Sequence, residues 1–277
     1  MKSINVSKFA KNSAKTIVAI AIMTIMILVG VFASGCKKSP ESITIVAPDG
    51  APALAVARLI EEKKIDNTTV NVKIVAASDI ATESLKADFA VVPSNVAPNL
   101  YNKKADIKVL DVVTNGNLYI LSSVNNDITL AGLAGKQIFS IGQGSVPDLI
   151  FQSILKQNDI AVNFGDTIVD GKVSIAYSAD GSEVIAKLMK AKKGGVEVYG
   201  LLGEPAVSMA MSKGLFQKFD LQQLWMTQTQ SQTMGYPQAV LIASGNILKN
   251  TKMVAKVRAL FADNSTWLQS NSDKAVA

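Results

Sequence analysis

The 277-residue chain contains no histidine and one cysteine, Cys36. Without histidine there is no Ser/His/Asp or Cys/His nucleophilic arrangement, no histidine-based zinc site and none of the commonest general base. A single cysteine forbids a disulfide within the chain. Arginine is almost as scarce, because only Arg58 and Arg258 occur. The planar fork that usually grips carboxylates, phosphates and sulfonates is therefore available at two positions. Both fall inside helical patterns, so they read as solvated helix faces rather than as site residues. No pair of acidic residues stands apart as a candidate for carboxylate-only catalysis, and no repeat or low-complexity tract is present; the nearest is the polar stretch 227–233.

An excess of positive charge also disappears on inspection. The formal net charge is +6, but Lys2, Lys8, Lys11 and Lys15 lie in a leading segment with no acidic residue. The remainder carries 24 basic against 22 acidic residues, which calls for no nucleic-acid partner. That leading segment continues with an apolar run from Thr16 to Val31 and the small residues Ala33, Ser34 and Gly35 before Cys36. Residues 1–35 read as an export signal peptide. The run is shorter than the roughly 20 residues that span a bilayer, so a transmembrane anchor would have to borrow flanking residues. Cys36 after small residues resembles the lipobox of bacterial lipoproteins, in which the thiol is lipidated and becomes the mature N-terminus. Residues 36–41 then form a tether, and the expected location is extracytoplasmic, lipid-anchored to the cell membrane.

The rest alternates strand and helix signals. Ile43 to Ala47 is a β-rich run stopped by Pro48-Asp49-Gly50, and Pro52 opens a helical pattern that extends to Lys64. Strands are predicted over 70–75, 89–92, 107–113, 118–122, 137–141, 174–176 and 196–201. Helices are predicted near 80–85, from 146 through Leu155, and over 182–191. Ser145 and Asp148 have capping-box spacing, with Pro147 in the first turn. Gly142-Gln143-Gly144-Ser145 lacks both the Gly-Lys-Ser/Thr of a phosphate-binding loop and the third glycine of a dinucleotide fingerprint. Such alternation predicts an α/β fold of parallel strands flanked by helices.

Three groups of residues, taken in order, resemble ABC-transporter substrate-binding proteins of the nitrate, sulfonate, taurine and thiamine-precursor group, which includes NMT1/THI5-like and SsuA-like proteins. They are Ile45 to Ala53, then Leu133-Ala134-Gly135-Lys136 through Gln143 to Leu149, then Gly203 to Ala206 with Gly235 to Val240. The resemblance spans most of residues 42–277. It implies a type II periplasmic-binding-protein fold: two α/β lobes joined by two crossing strands. On that basis lobe I comprises 42–122 and 236–277, and lobe II comprises 123–235. The hinges fall near Leu118 to Ser122 and Pro237 to Ile242. The final helical stretch looks like the middle of a region that runs on in the family, which reads as a truncated chain and an incompletely covered lobe I.

Ligands of open α/β sheets sit beyond the carboxyl ends of strands, near helix N-termini. That places candidate ligand residues at Asp49, Gly50, Ala51, Ser94, Asn95, Thr114 and Asn115 from lobe I. Lobe II would supply Gly144, Ser145, Tyr177 and Glu204. Ser145 is equally a helix cap, the glycines equally turn formers, Tyr177 and Tyr236 equally core aromatics, and Glu204-Pro205 equally a corner. With few arginines, and with Asp49, Asp148 and Glu204 close by, a neutral or partly cationic solute fits better than an oxyanion. The resemblance implies a heterocycle such as a thiamine precursor, or a sulfonate, handed to an ABC permease by a monomer that needs no cofactor or metal. The rival readings are a membrane-anchored solute sensor and a pyrimidine-synthase-like enzyme on the same scaffold. The enzyme would need histidine, which the chain lacks, and a cysteine other than Cys36, the one it has.

Overall fold

The structure is a computed structural model that describes residues 39–231 and 235–271. The expected signal peptide, Cys36 with the start of the tether, and the last six residues lie outside that range. Among the described residues no helix is long and apolar enough to cross a membrane.

Among the described residues, strands form two six-stranded sheets. The first takes β1 (Ser42–Pro48), β2 (Lys64–Ile65), β3 (Thr68–Val75), β4 (Phe89–Pro93) and β5 (Ile107–Asn115). The second takes β6 (Leu118–Ser122), β7 (Gln137–Ile141), β8 (Val162–Phe164), β9 (Val173–Ser178), β10 (Tyr199–Gly203) and β11 (Phe216–Asp220); β12 (Pro237–Ser244) then returns to the first. The orders are β2-β3-β1-β4-β12-β5 and β11-β6-β10-β7-β9-β8. β1 pairs parallel with β3 and β4, and β7 pairs parallel with β9 and β10, as the alternating pattern predicts. β12 runs antiparallel between β4 and β5, closing the first sheet with a strand from the far end of the sequence.

Near-continuous apolar strands are buried on both faces, the usual state of a parallel sheet between helices. Successive residues of β4 point to opposite sides, so Phe89 and Val91 join Ile43, Ile45 and Leu241 in one core while Ala90 and Val92 join Val46 and Ile242 in another. The helix Thr251–Ser270 covers the first of these cores through Met253 and Val257. In the second sheet Ile138, Ile175 and Leu201 meet Phe151, Ile154 and Leu155 of the helix Val146–Gln157. Leu121 and Leu202 face Val184 and Leu188 of the helix Gly181–Lys193 on the other side. Each fully buried large side chain contributes roughly 1.5–3 kcal/mol relative to exposure.

Two local expectations are corrected. The helical pattern after Pro52 starts as a 3-10 turn, Ala51–Val56, and becomes α-helical only over Ala57–Glu62. Gly50, at φ 83°, enters that turn in a conformation that favours glycine, and its carbonyl accepts the Ala53 N–H at 2.9 Å. The helix ends at Glu62 because Lys63 is left-handed, φ 55°, so Lys64 and Ile65 fold back onto β3 as β2.

The larger correction concerns the crossings. Leu118–Ser122, grouped with lobe I in the sequence, pairs with β10 and β11 in the second sheet. The passage between sheets is therefore Gly116 and Asn117 on the way out and Gly235 and Tyr236 on the way back, rather than the strands themselves. These passages are bonded to each other: Gly116 N–H donates to the Tyr236 carbonyl at 3.0 Å, and Leu118 N–H donates to the Tyr236 hydroxyl at 3.1 Å. A Cβ at Gly116 would stand 2.6 Å from the Tyr236 ring, and one at Gly235 would stand 2.0 Å from Gln222 Cδ. At Gly116 the obstacle includes a buried ring, whereas at Gly235 it is the movable end of the Gln222 side chain.

Candidate functional site

All the candidate residues after Cys36 lie at or just past carboxyl ends of strands. Asp49, Gly50 and Ala51 follow β1; Ser94 and Asn95 follow β4; Thr114 and Asn115 end β5. Gly144 and Ser145 follow β7, Tyr177 lies near the end of β9, and Glu204 follows β10. The structure brings them into three groups.

The first group is a contact between the two sheets' loops. Asn95 Nδ2 donates to the Gly144 carbonyl at 3.0 Å, so candidates from opposite sides touch directly. The Asn95 side-chain oxygen is buried, with no donor among the described residues. Neighbouring Ser94 is held by backbone of the returning strand: its N–H donates to the Gln238 carbonyl at 3.1 Å and its hydroxyl to the Pro237 carbonyl at 2.7 Å.

Beneath Gly144 lies the second group. Asp148 is 2% exposed, and its carboxylate accepts from Gly144 N–H at 2.8 Å, Tyr177 OH at 2.7 Å and Gln152 Nε2 at 2.7 Å. Three donors compensate a carboxylate removed from water. Gly142 and Gly144 both have positive φ, 61° and 72°, and Ser145 N–H closes a tight turn onto the Gly142 carbonyl at 2.9 Å. That turn changes the expected cap. The Ser145 hydroxyl bonds back to the Gly142 carbonyl and makes no capping bond to its helix, while Asp148 reaches past Ser145 to Gly144. Tyr177 is likewise a support: its ring stacks on Phe164 at 6.4 Å and its hydroxyl is held by Asp148. Burial, then the bond to Asp148, pushes the Tyr177 hydroxyl well above the usual phenol range, so it remains protonated. Tyr236 is fully buried against Trp225 at the crossing, and burial raises it in the same way.

The third group lines a cavity of about 650 Å³. Ala51, Thr114, Asn115 and Glu204 contribute to its wall, joined by residues not singled out in the sequence: Asp111, Asn117, Arg258, Phe261 and Asn264. Its size falls in the range of small-molecule pockets. Glu204 forms the corner expected of Glu204-Pro205: its carboxylate accepts from Ser208 N–H at 3.1 Å and Ser208 Oγ at 3.0 Å at the start of the helix Ala206–Ser212. Asp49 and Gly50 are exposed and do not appear in that wall.

Arg258 lies on an exposed helix face, as its place in the helical pattern suggests, and it also borders the cavity. Both carboxylate oxygens of Asp111 hold it, Nε to Oδ2 at 2.6 Å and Nη2 to Oδ1 at 2.8 Å, and this bonding raises the guanidinium further above its usual range. Arg58 is paired with Glu62 and Asp263 at 2.8 and 2.9 Å. Asn264 could have been found. It continues the buried face of its helix after Met253, Val257 and Phe261, and a polar side chain in an apolar stripe calls for a reason. Asp111 and Arg258 stand 147 positions apart, and no local signal joins them. Among the described residues no group of three metal-ligating side chains comes together.

No protein-family model and no curated protein sequence matches the chain. Solved structures do. An ABC transporter structure from Parabacteroides distasonis is 23% identical, with a TM-score of 0.65 over 85% of this chain and 78% of that one. The periplasmic aliphatic sulphonate-binding protein SsuA from Escherichia coli is 18% identical, with a TM-score of 0.63 over 86% and 77%. The alkanesulfonate-binding protein SsuA from Xanthomonas axonopodis pv. citri, bound to MOPS, is 14% identical, with a TM-score of 0.58 over 87% and 78%. At these identities the likeness is one of fold: the mixed α/β, two-sheet architecture of periplasmic-binding-protein-like structures.

Proposed function

We propose that this chain is the extracytoplasmic solute-binding component of an ABC importer, anchored through lipid on Cys36. It would capture a small molecule between two α/β lobes and present it to a membrane permease. The observation that carries this reading is the pairing of two features at one junction. Among the described residues the chain passes between the sheets at Gly116–Asn117 and Gly235–Tyr236, loops beyond their strands meet at Asn95 and Gly144, and residues from both sheets' loops line a ligand-sized cavity. Such an arrangement is suited to opening and closing about the passages. Lobe I is then 42–115 with 237–270, and lobe II is 118–231.

Binding, rather than covalent chemistry, is what these side chains support. The buried Asp148 is consumed by three donors, the tyrosines near the junction are held protonated, and histidine is absent. The solute is a compact organic molecule. The pairing of Arg258 with Asp111 weighs for a heterocycle over a sulfonate or oxyanion, since the wall's guanidinium is already occupied. A thermal-shift screen of the full chain in detergent against pyrimidines, sulfonates, oxyanions, amino acids and amines tests the reading. Saturation at 100 times the dissociation constant adds about 2.7 kcal/mol of stability. A shift with one chemical class is expected; a folded sample that responds to none contradicts solute binding. Incorporation of labelled fatty acid, lost in Cys36→Ala, tests the anchor.

A further inference from the structure

Two residues that border the cavity carry buried amide oxygens. Asn264 is 7% exposed; its Nδ2 donates to the Leu54 carbonyl at 3.0 Å, while its Oδ1 is buried with no donor among the described residues. Asn117, at the outward passage between sheets, lines the same cavity with its own side-chain oxygen in the same condition. Both oxygens are closed off from solvent, so they stand behind the open surface of the cavity.

Charge is what the open wall presents. Two carboxylates, Asp111 and Glu204, stand against one guanidinium, and among the described residues the wall holds no lysine. Arg258 is held by both oxygens of Asp111, so this ion pair presents no vacant fork to an anion. Among the described residues the Glu204 oxygens accept from Ser208 alone, and a carboxylate oxygen can accept more than one bond. Leu54, Val112, Val113, Phe261 and Leu268 make the rest of the wall apolar, and an aromatic ring is a favourable neighbour for a cation.

Resting on the solute-binding reading above, we infer that this cavity selects an organic cation, with an N–H-bearing ammonium or amidinium head and a compact apolar body. Glu204 provides the counter-charge and accepts the head group's protons. Arg258 sets the balance by keeping Asp111 neutralised.

The test is calorimetric titration of the full chain in detergent with three probes that share one body: benzylammonium, benzyl alcohol and phenylmethanesulfonate. Benzylammonium is expected to bind at least about tenfold more tightly than the other two, as a charge-assisted bond implies. Glu204→Gln should weaken benzylammonium about tenfold and leave benzyl alcohol unchanged. Arg258→Gln, by releasing Asp111, should tighten benzylammonium, so the assignment stays testable if the first variant does not fold. Equal affinity for the ammonium and the alcohol, or opposite responses of the variants, overturns the inference. Preference for the sulfonate overturns it while leaving solute binding intact. No heat from any probe, with a cooperative thermal melt showing a folded sample, overturns both.

Discussion

The two halves of the junction are held in different ways. On the second sheet's side, the glycine loop is fastened from below by a buried carboxylate that also holds Tyr177 and Gln152. On the first sheet's side, the loops rest mainly on backbone bonds: Asp49 N–H to the Val75 carbonyl, Ala53 N–H to the Gly50 carbonyl, and Ser94 to the start of β12. One side is pre-set by a polar network whose loss leaves buried groups unpaired. The other shares its geometry among many small contributions. Substitutions on the two sides should therefore differ in kind, which gives several ways to break the comparison.

The largest effect should come from Asp148→Ala, which removes a buried carboxylate, leaves three part-buried donors without their acceptor and should cost about 3 kcal/mol in urea denaturation. A cost below about 1 kcal/mol would remove the distinction between the sides. Gly116→Ala comes next, at about 2 kcal/mol, because the added methyl meets the buried Tyr236 ring as well as the end of the Gln222 side chain. Tyr236→Phe should cost about 1 kcal/mol by leaving the Leu118 N–H unpaired. Asn95→Ala should change stability by less than about 0.5 kcal/mol, yet speed release of a bound solute in stopped-flow measurements, because it removes only the contact that spans the loops.

The smallest effect concerns pH and salt. Glu83, beside the first sheet, is pulled down to about 2 by hydrogen bonds to Lys73 and Lys86. Glu197, beside the second, is lowered by bonds to Lys136 and Tyr199. A depressed carboxylate contributes stability that is full above its unfolded pKa and is lost as pH falls through its folded one. The Glu83 contribution should therefore fade between about pH 4.5 and 2. At neutral pH, 1 M salt should weaken the more exposed Glu83 cluster more than the Glu197 cluster. Melting temperatures of Glu83→Gln and Glu197→Gln across both salt conditions check this.

Much of the fold was legible because its signals are local. Continuous apolar runs such as Ile43 to Ala47 and Phe89 to Val92 can be buried only in a sheet covered on both faces, and the loops after them fall where ligands of such sheets lie. What escaped depends on distance along the chain. The short strands β2 and β8 exist because neighbours pair with them, and Lys64–Ile65 carries no strand signal of its own. Leu118–Ser122 is apolar enough to suit either sheet, and only its pairing with β10 and β11 decides which. Ser145 has the residue type and spacing of a cap, but the turn imposed by Gly142 and Gly144 redirects its hydroxyl. Arg258 is exposed, as its helical position suggests, but its pairing with Asp111 and its place at the cavity join segments far apart in sequence, which no local pattern shows.

The central claim is that the two sheets close about the Gly116 and Tyr236 passages to hold a solute, and the direct measurement is a distance across the junction. Spin labels at Asn99 and Gln143, both exposed, can be placed in a Cys36→Ser background and read by double electron–electron resonance. With a solute whose binding has been established by calorimetry, the account predicts a shift from a broad, longer distribution to a single short distance. One distribution, unchanged at saturation, would contradict it.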